Sequence, residues 1–190
     1  MTEKTRVSFD SYRIYGYAAA FGVLWALIEV SIGTTLHTFK LPFKGALLAS
    51  IGVLLLSVQR YTLNARFVTL FTGIVCLSIR FVFVGSLFPN PTVAIFMEAL
   101  LCELVFSIFS VGYLQAILAG VAALLWTFFQ KIIWLIFFYG MSIIDAYLYF
   151  LKELLKELPS SKIFLLLFLA FLFFFAGLCG AIGILIAKKF

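Results

Sequence analysis

The fold prediction starts from the segment Tyr17–Leu36, which reads YAAAFGVLWALIEVSIGTTL. It is followed by the loop HTFKLPFK at 37–44. Ala18, Gly22 and Ala26 are spaced four apart, which places them on one face of a helix. Inside a membrane, such a small-residue face lets a second helix approach closely. This small-residue stripe therefore predicts either a docking surface for a partner or ordinary packing within the chain.

The composition is that of an integral membrane protein in one domain spanning residues 1–190. Hydrophobic residues make up 65% of the 190-residue chain and charged residues 12%, and the mean hydropathy is +1.19. Soluble domains are about half apolar and a quarter charged. The net charge of +6 comes from basic residues scattered at predicted helix ends. That placement indicates orientation in a lipid bilayer and argues against nucleic-acid binding, which needs a basic patch.

Chemistry-bearing motifs of enzymes are missing from the sequence. There is no H-E-x-x-H, no G-x-S-x-G and no Walker A lysine motif. The single histidine and three cysteines separated by apolar runs make a metal site unlikely by composition. We therefore expect a protein that is not an enzyme and needs no metal or cofactor. A cleavable signal peptide is not expected either, because the first apolar run is longer than a signal segment.

Hydropathy predicts an all-α fold with six membrane-spanning helices, at about residues 14–36, 41–58, 67–87, 91–111, 114–130 and 163–187. Residues 132–158 are expected to be irregular or interfacial. Their later part has leucines on one face and charges on the other, which predicts an amphipathic helix lying on the membrane surface before the last span. The distribution of Lys and Arg in short loops predicts a cell-membrane protein with both termini cytoplasmic.

Ionisable residues inside the predicted spans all fall at mid-depth or in the predicted outer half. Because an intramembrane charge is costly, it is a functional hypothesis by default. We predict an outward-facing pocket for a small molecule, with Arg80 pairing with Glu98 or Glu29 and with both Arg80 and Glu98 facing the protein interior. Structural ion pairs are the alternative for these residues, and for Lys131 the alternative is a side chain reaching the membrane surface. The candidate substrate-binding residues are Glu29, His37, Arg80, Glu98, Glu103, Gln130 and Lys131.

With six helices, a small-residue stripe on the first and charges in the outer half, the chain resembles the substrate-binding S component of an energy-coupling factor (ECF) transporter. The resemblance covers nearly the whole chain, although glycine stands at the middle stripe position where the family carries alanine. It implies capture of a small, vitamin-like nutrient. It also implies docking through Ala18, Gly22 and Ala26 on a transmembrane coupling subunit that works with a pair of ATPase subunits. Residues of the loop at 37–44 would help to line the site.

Two other interpretations stay open at this point. One is a stand-alone ion-coupled secondary transporter or small channel that uses Glu29, Glu98 and Glu103 as relays. Inverted repeats are typical of such transporters, and the sequence shows no convincing repeat. The other is an intramembrane enzyme or a structural subunit, of which the first is disfavoured by the missing catalytic motifs.

Overall fold

The computed structural model describes residues 11–39, 44–84, 89–142 and 159–189. In these ranges the chain is all-helical. The helices are α1 (Ser11–Thr38), α2 (Lys44–Leu63), α3 (Val68–Val84), α4 (Pro89–Ile108), α5 (Tyr113–Tyr139) and α6 (Pro159–Ala187). The all-α class predicted from the sequence is confirmed for this part of the chain.

Five of the described helices are long and apolar enough to cross a bilayer, and α3 is the shorter one. At about 1.5 Å per residue, the 17 residues of α3 cover about 25 Å, close to the ~30 Å of a hydrocarbon core. The outward faces of the helices carry large apolar side chains, among them Leu27, Phe81, Ile108 and Phe174. A bundle that is apolar on its outside as well as its inside is the form of a membrane-embedded protein.

The predicted ends of α2 and α5 and the predicted start of α6 were wrong. α2 continues to Leu63 rather than ending near residue 58, so Arg60 lies within its last turn. α5 runs to Tyr139 rather than ending near residues 130 and 131, because nothing in the apolar run there breaks a helix before Gly140, which is in the left-handed conformation with φ of 75°. α6 begins at Pro159 instead of residue 163, since proline is well tolerated in a first helical turn.

The segment predicted to be interfacial is therefore partly helix α5. Residues 132–139 belong to α5, and residues 143–158, where the amphipathic helix was predicted, lie outside the described residues. The amphipathic helix at 143–158 stays a prediction.

Consecutive helices of the chain run in opposite directions. α1 and α3 run parallel, because Ala18 is close to Thr72 at one end while Glu29 meets Arg80 further along. α2 runs the opposite way, with Gln59 in its last turns bonded to Thr72 in the first turns of α3. The same alternation relates α5 and α6, where the backbone of Gly120 faces Ala176 and that of Gly180 faces Ala116.

Helix α2 is the centre of the bundle and packs against every other described helix, most extensively against α6. Its inward residues include Val53 and Leu56, both fully buried in the main apolar core. A polar link crosses this core region: the Gln59 amide donates to Thr72 Oγ1, which donates to the Ala18 carbonyl oxygen at 3.0 Å. This link joins α2, α3 and α1 where small residues leave the backbones close together.

Candidate functional site

The predicted site residues fall in three separate places. Glu29 of α1 pairs with Arg80 of α3, and Glu98 of α4 lies nearby, beside Gly52 of α2 and Trp25 of α1. Glu103 lies closer to the end of the bundle where α2 connects to α3. Gln130 and Lys131 lie in the second half of α5. The sequence had placed all of them at a similar depth, so only part of the predicted pocket is brought together.

Glu29 and Arg80 form an ion pair between the two parallel helices. Arg80 Nη1 donates to Glu29 Oε2 at 3.2 Å. The Glu29 side chain is 7% exposed and that of Arg80 19% exposed, so the pair is inside the bundle with the guanidinium nearer the solvent or lipid boundary. Trp25, one turn before Glu29, interacts with the same carboxylate without reaching normal hydrogen-bond geometry. Of the two partners proposed for Arg80 from the sequence, the structure selects Glu29.

Glu98 lies at the middle of α4 and is 5% exposed. Its carboxylate rests above Gly52 of α2, where the ring of Trp25 also lies; a Cβ on Gly52 would overlap Glu98 Oε1 and come within 3.0 Å of the indole. The position of α4 is fixed by another close approach, that of Ala99 against Gly73 of α3. Small residues on two neighbouring helices thus make the space in which this carboxylate sits.

Glu98 has no cationic partner among the described residues. Arg80 is engaged with Glu29, and Glu98 Oε1 is buried without a hydrogen-bond donor in the described part of the chain. Glu29 and Glu98 are close enough to interact electrostatically. A buried carboxylate without a partner costs several kcal/mol unless its charge is neutralised. The cluster of Glu29, Arg80 and Glu98, called the α1–α3–α4 cluster below, therefore holds two acids against one guanidinium.

Glu103 belongs to a different arrangement, in which both of its carboxylate oxygens accept hydrogen bonds. Its Oε1 accepts hydrogen bonds from the Phe67 backbone N–H at 2.8 Å and the Ser107 hydroxyl at 2.7 Å, and lies 3.2 Å from Arg60 Nη1. Its Oε2 accepts bonds from the Thr69 backbone N–H, at 3.1 Å, and hydroxyl. Glu103 caps the first turn of α3, where backbone N–H groups lack helical partners.

The separation of the two clusters can be judged along α3. Arg80 follows Thr69 by 11 residues, which is about 16 Å in a helix. Glu103 therefore does not share the depth of the Glu29–Arg80 pair, contrary to expectation. The prediction missed this because it ended α2 before Arg60 and extended α4 beyond Ile108, which moved Glu103 towards the centre of its helix.

Gln130 and Lys131 lie apart from both clusters. Gln130 is buried. Lys131 borders a depression on α5 together with Trp134, Leu135, Phe138 and Tyr139, and it is near enough to Lys44 of α2 for their charges to interact. His37 is in the last turn of α1, but its side chain is outside the described part of the structure, as are residues 40–43 of the predicted binding loop.

The small-residue stripe of α1 is used within the chain. Ala18 and Ala26 are fully buried, and a Cβ on Gly22 would lie 2.8 Å from both the Thr72 carbonyl oxygen and Val75 Cβ of α3. Of the two interpretations of the stripe, packing within the chain is the one these contacts show. A partner could use the same residues only if α3 moved away.

Three residues that lie against Glu98 or Glu103 were not among the predicted site residues. Neither Gly52 nor Trp25 was singled out from the sequence, and Arg60 falls between the predicted spans 41–58 and 67–87. Only the charge of Arg60 within an apolar context offered a signal, and it was hidden by the predicted end of α2. Gly52 and Trp25 matter through three-dimensional contacts that have no signature in sequence spacing.

The described residues hold no group of three or more His, Cys, Asp or Glu side chains arranged to bind a metal ion. Compared with known proteins, the chain matches no protein-family model, no curated protein and no solved structure.

Proposed function

We propose that this protein is a membrane transport subunit that captures a small charged solute at the α1–α3–α4 cluster, in the manner of an ECF S component. The observation that carries the proposal is the burial of Glu29 and Glu98, from two helices, inside the bundle, with Glu29 paired to Arg80 of a third helix. Ionisable residues inside a membrane are costly, and those that face the protein interior are by default a hypothesis for a solute or ion pathway. Neither acid of this cluster caps a helix, unlike Glu103.

The arrangement also fits recognition of a charged group. Arg80 retains 19% exposure and offers a planar guanidinium, of which one N–H is used by Glu29. Glu98 offers a carboxylate oxygen without a donor. A solute carrying both an acidic and a basic group could bond to both residues at once. The Trp25 ring beside Glu98 would add an aromatic surface for the rest of such a solute.

The ECF assignment is supported by the number and alternation of the helices and by the position of the charged cluster beside the first helix. Because α3 covers the small-residue stripe, we place the proposed contact with the coupling subunit on the open face of α1. That face carries exposed leucines, among them Leu24 and Leu27. Apolar, unobstructed helix faces of this type serve helix–helix association in membranes as well as lipid contact.

The test is affinity purification of the tagged full-length protein from its native membrane in mild detergent. We expect recovery of a transmembrane coupling subunit and two ATPase subunits, identified by mass spectrometry and by ATP hydrolysis in the eluate. The double variant Leu24→Arg/Leu27→Arg should reduce their recovery. The matched control is Phe81→Arg, an exposed position on α3, which should leave recovery unchanged. Equal recovery with all variants would remove α1 from the contact, and absence of ATPase subunits would contradict the ECF assignment.

A second candidate is a stand-alone ion-coupled transporter. It is favoured by one observation, the buried Glu98 carboxylate without a cationic partner, since carboxylates of this kind carry coupling protons in membrane transporters. Proteoliposomes containing only this protein and a pH-sensitive dye separate the candidates. Nutrient-driven acidification or alkalinisation without ATP supports the second candidate, whereas no flux without the ATPase subunits supports the first.

A further inference from the structure

The charge balance of the α1–α3–α4 cluster leads to a specific inference about Glu98. Two carboxylates and one guanidinium leave one negative charge if both acids are ionised. Glu98 is 5% exposed, and its Oε1 meets no donor among the described residues. An isolated ionised carboxylate in an apolar interior is avoided by neutralisation when no partner is present. One added proton makes the cluster neutral.

We propose that Glu98 is a proton-binding residue of this protein, and that it holds the one proton that neutralises the α1–α3–α4 cluster. The inference rests on the proposed function, because it assigns the proton to the same solute site. It adds that solute capture and proton occupancy are linked: a cationic group of the solute can pair with Glu98 in place of the proton, and the proton then passes to water.

The neighbours of Glu98 support this choice of residue over Glu29. On α1, Glu29 is already bonded to Arg80 of α3 at 3.2 Å, so its negative charge is compensated. The α2 side presents Gly52, which brings no charge or donor. The other titratable groups near Glu98 are the thiols of Cys76 on α3 and Cys102 on α4, both buried and free. Arg80 is the one cation of this neighbourhood among the described residues.

The residues around Glu98 suit a bound proton better than a bound metal ion. Metal ions in proteins take several oxygen or nitrogen ligands at once, and the described residues form no group of three or more acidic, histidine or cysteine side chains suited to one. The carbonyl groups of the surrounding helices are engaged in helical hydrogen bonds. A proton needs only the one free carboxylate oxygen that the structure provides.

The test uses dicyclohexylcarbodiimide, an apolar reagent that modifies protonated carboxyl groups, on the purified full-length protein in detergent. Peptide mass spectrometry should find the modification at Glu98 and not at Glu29 or Glu103, with a yield that falls as the pH is raised. Sodium chloride, compared with choline chloride at equal ionic strength, should not protect Glu98. In Glu98→Gln the modification should be lost, while in Arg80→Gln it should appear at Glu29 as well, because the cluster then needs two protons.

The same variants also serve as the control for access of the reagent to the cluster. Modification of Glu29 but not of Glu98 in Arg80→Gln shows that the reagent reaches the cluster and overturns the proposal. Protection of Glu98 by sodium chloride would show that a sodium ion binds there, and it would overturn the proposal of a bound proton. Infrared difference spectra between wild type and Glu98→Gln give an independent readout, and the absence of a protonated carboxylic acid band also overturns the proposal. None of these outcomes depends on an ATPase partner, so they are distinct from failure of the ECF assignment.

Discussion

Glu98 and Glu103 lie five residues apart on α4 and have opposite surroundings. Glu103 accepts hydrogen bonds from two backbone N–H groups and two hydroxyls and pairs with Arg60. Glu98 Oε1 lies over Gly52 and has no hydrogen-bond donor in the part of the chain that the structure describes. Residue type alone does not distinguish a carboxylate that holds helices together from one that is available to a solute or proton, whereas the count of donors around each does.

Replacement of Glu103 should destabilise the protein strongly. Glu103→Ala leaves Arg60, which is 4% exposed, as a buried charge without its acid, and it removes the cap of α3. Breaking a buried pair in this way costs about 3–5 kcal/mol. Glu103→Gln keeps an acceptor for one of the backbone donors and should cost less. The midpoint of thermal unfolding in detergent, followed by circular dichroism, measures both, and equal midpoints for wild type and Glu103→Ala would contradict the structural role.

Gly52→Ala should disturb the α1–α3–α4 cluster more than it changes global stability. The new methyl group would overlap Glu98 Oε1 and crowd the Trp25 ring at 3.0 Å, which forces the flexible carboxylate to move. The matched control is Gly33→Ala on α1, where the nearest atom would be Leu48 Cδ1 at 3.8 Å, an ordinary contact. Tryptophan fluorescence should shift in the first variant and not in the second. The same spectrum for both variants would show that the carboxylate is not seated as described.

At the residue scale, the sequence identified which charges are costly but not how they pair. Glu29 and Arg80 were joined as one of two options, because both lay past the middle of parallel spans. The role of Glu103 was missed because its carboxylate accepts hydrogen bonds from the backbone N–H groups of Phe67 and Thr69. Almost any residue at those two positions would supply the same donors. No pattern of side chains encodes a bond of that kind.

At the scale of helices, glycine and alanine set the distances between pairs. α1 meets α3 at Gly22, and α5 meets α6 at Gly120 and Gly180. In a bilayer, close packing of this type replaces the hydrophobic driving force that water supplies to soluble proteins. The helix contacts of this bundle are therefore sensitive to single methyl groups.

Gly180→Ala should weaken the contact between α5 and α6. Its Cβ would overlap the backbone carbonyl of Ala116, and a backbone atom cannot turn away as a side chain can. The control is Gly16→Ala on α1, which meets no atom within 4 Å and should gain up to about 1 kcal/mol from helix propensity. We expect a lower thermal midpoint for the first variant and an equal or higher one for the second. The reverse order would show that α6 packs elsewhere.

Gly22→Leu should impair folding itself. If the stripe were the docking surface that the sequence also allows, this change would block partner docking and leave the isolated protein folded. With Thr72 and Val75 of α3 2.8 Å from the new Cβ, α1 and α3 cannot keep their distance, and the Glu29–Arg80 pair depends on that distance. Size-exclusion chromatography in detergent should show loss of the monodisperse peak. A normal peak together with loss of ATPase co-purification would contradict this expectation and show that the stripe docks a partner.

Helix boundaries were predicted well where turn-forming residues interrupt the apolar sequence and poorly where the apolar sequence continues. The start of α4, at Pro89 against a predicted 91, and the start of α5, at Tyr113 against a predicted 114, were located closely. The end of α5 was misplaced because Gln130 and Lys131 were taken as a boundary, although Gln130 is buried within the helix. A long helix can carry polar residues inward when a neighbouring helix supplies partners, and the sequence does not show which neighbour that is.

At the scale of the molecule, alternating helices place Tyr12 and Lys189 at one end of the bundle and Phe39 and Met141 at the other. Single cysteines at these exposed positions test the arrangement. The native cysteines are buried and should contribute little background to labelling. In sealed vesicles we expect Tyr12→Cys and Lys189→Cys to react from one side, and Phe39→Cys and Met141→Cys from the other.

Labelling of Tyr12→Cys and Lys189→Cys from opposite sides would require an odd number of crossings, with residues 143–158 as the segment to re-examine. Cytoplasmic reactivity of both would agree with the orientation predicted from the Lys and Arg distribution. Detergent-solubilised protein provides the reference for full reactivity at each position.

The central place of α2 has a consequence for how the protein is made. Helix α2 is made before α6, its most extensive neighbour, with more than 90 residues between them. Until α6 is made, the backbone around Leu54 and Ser57 that contacts Gly183 faces lipid or a chaperone instead of its partner. Membrane integration can proceed helix by helix, but the packing around α2 must wait for α6, so a chain stalled before α6 exposes this unpacked surface to quality-control proteases.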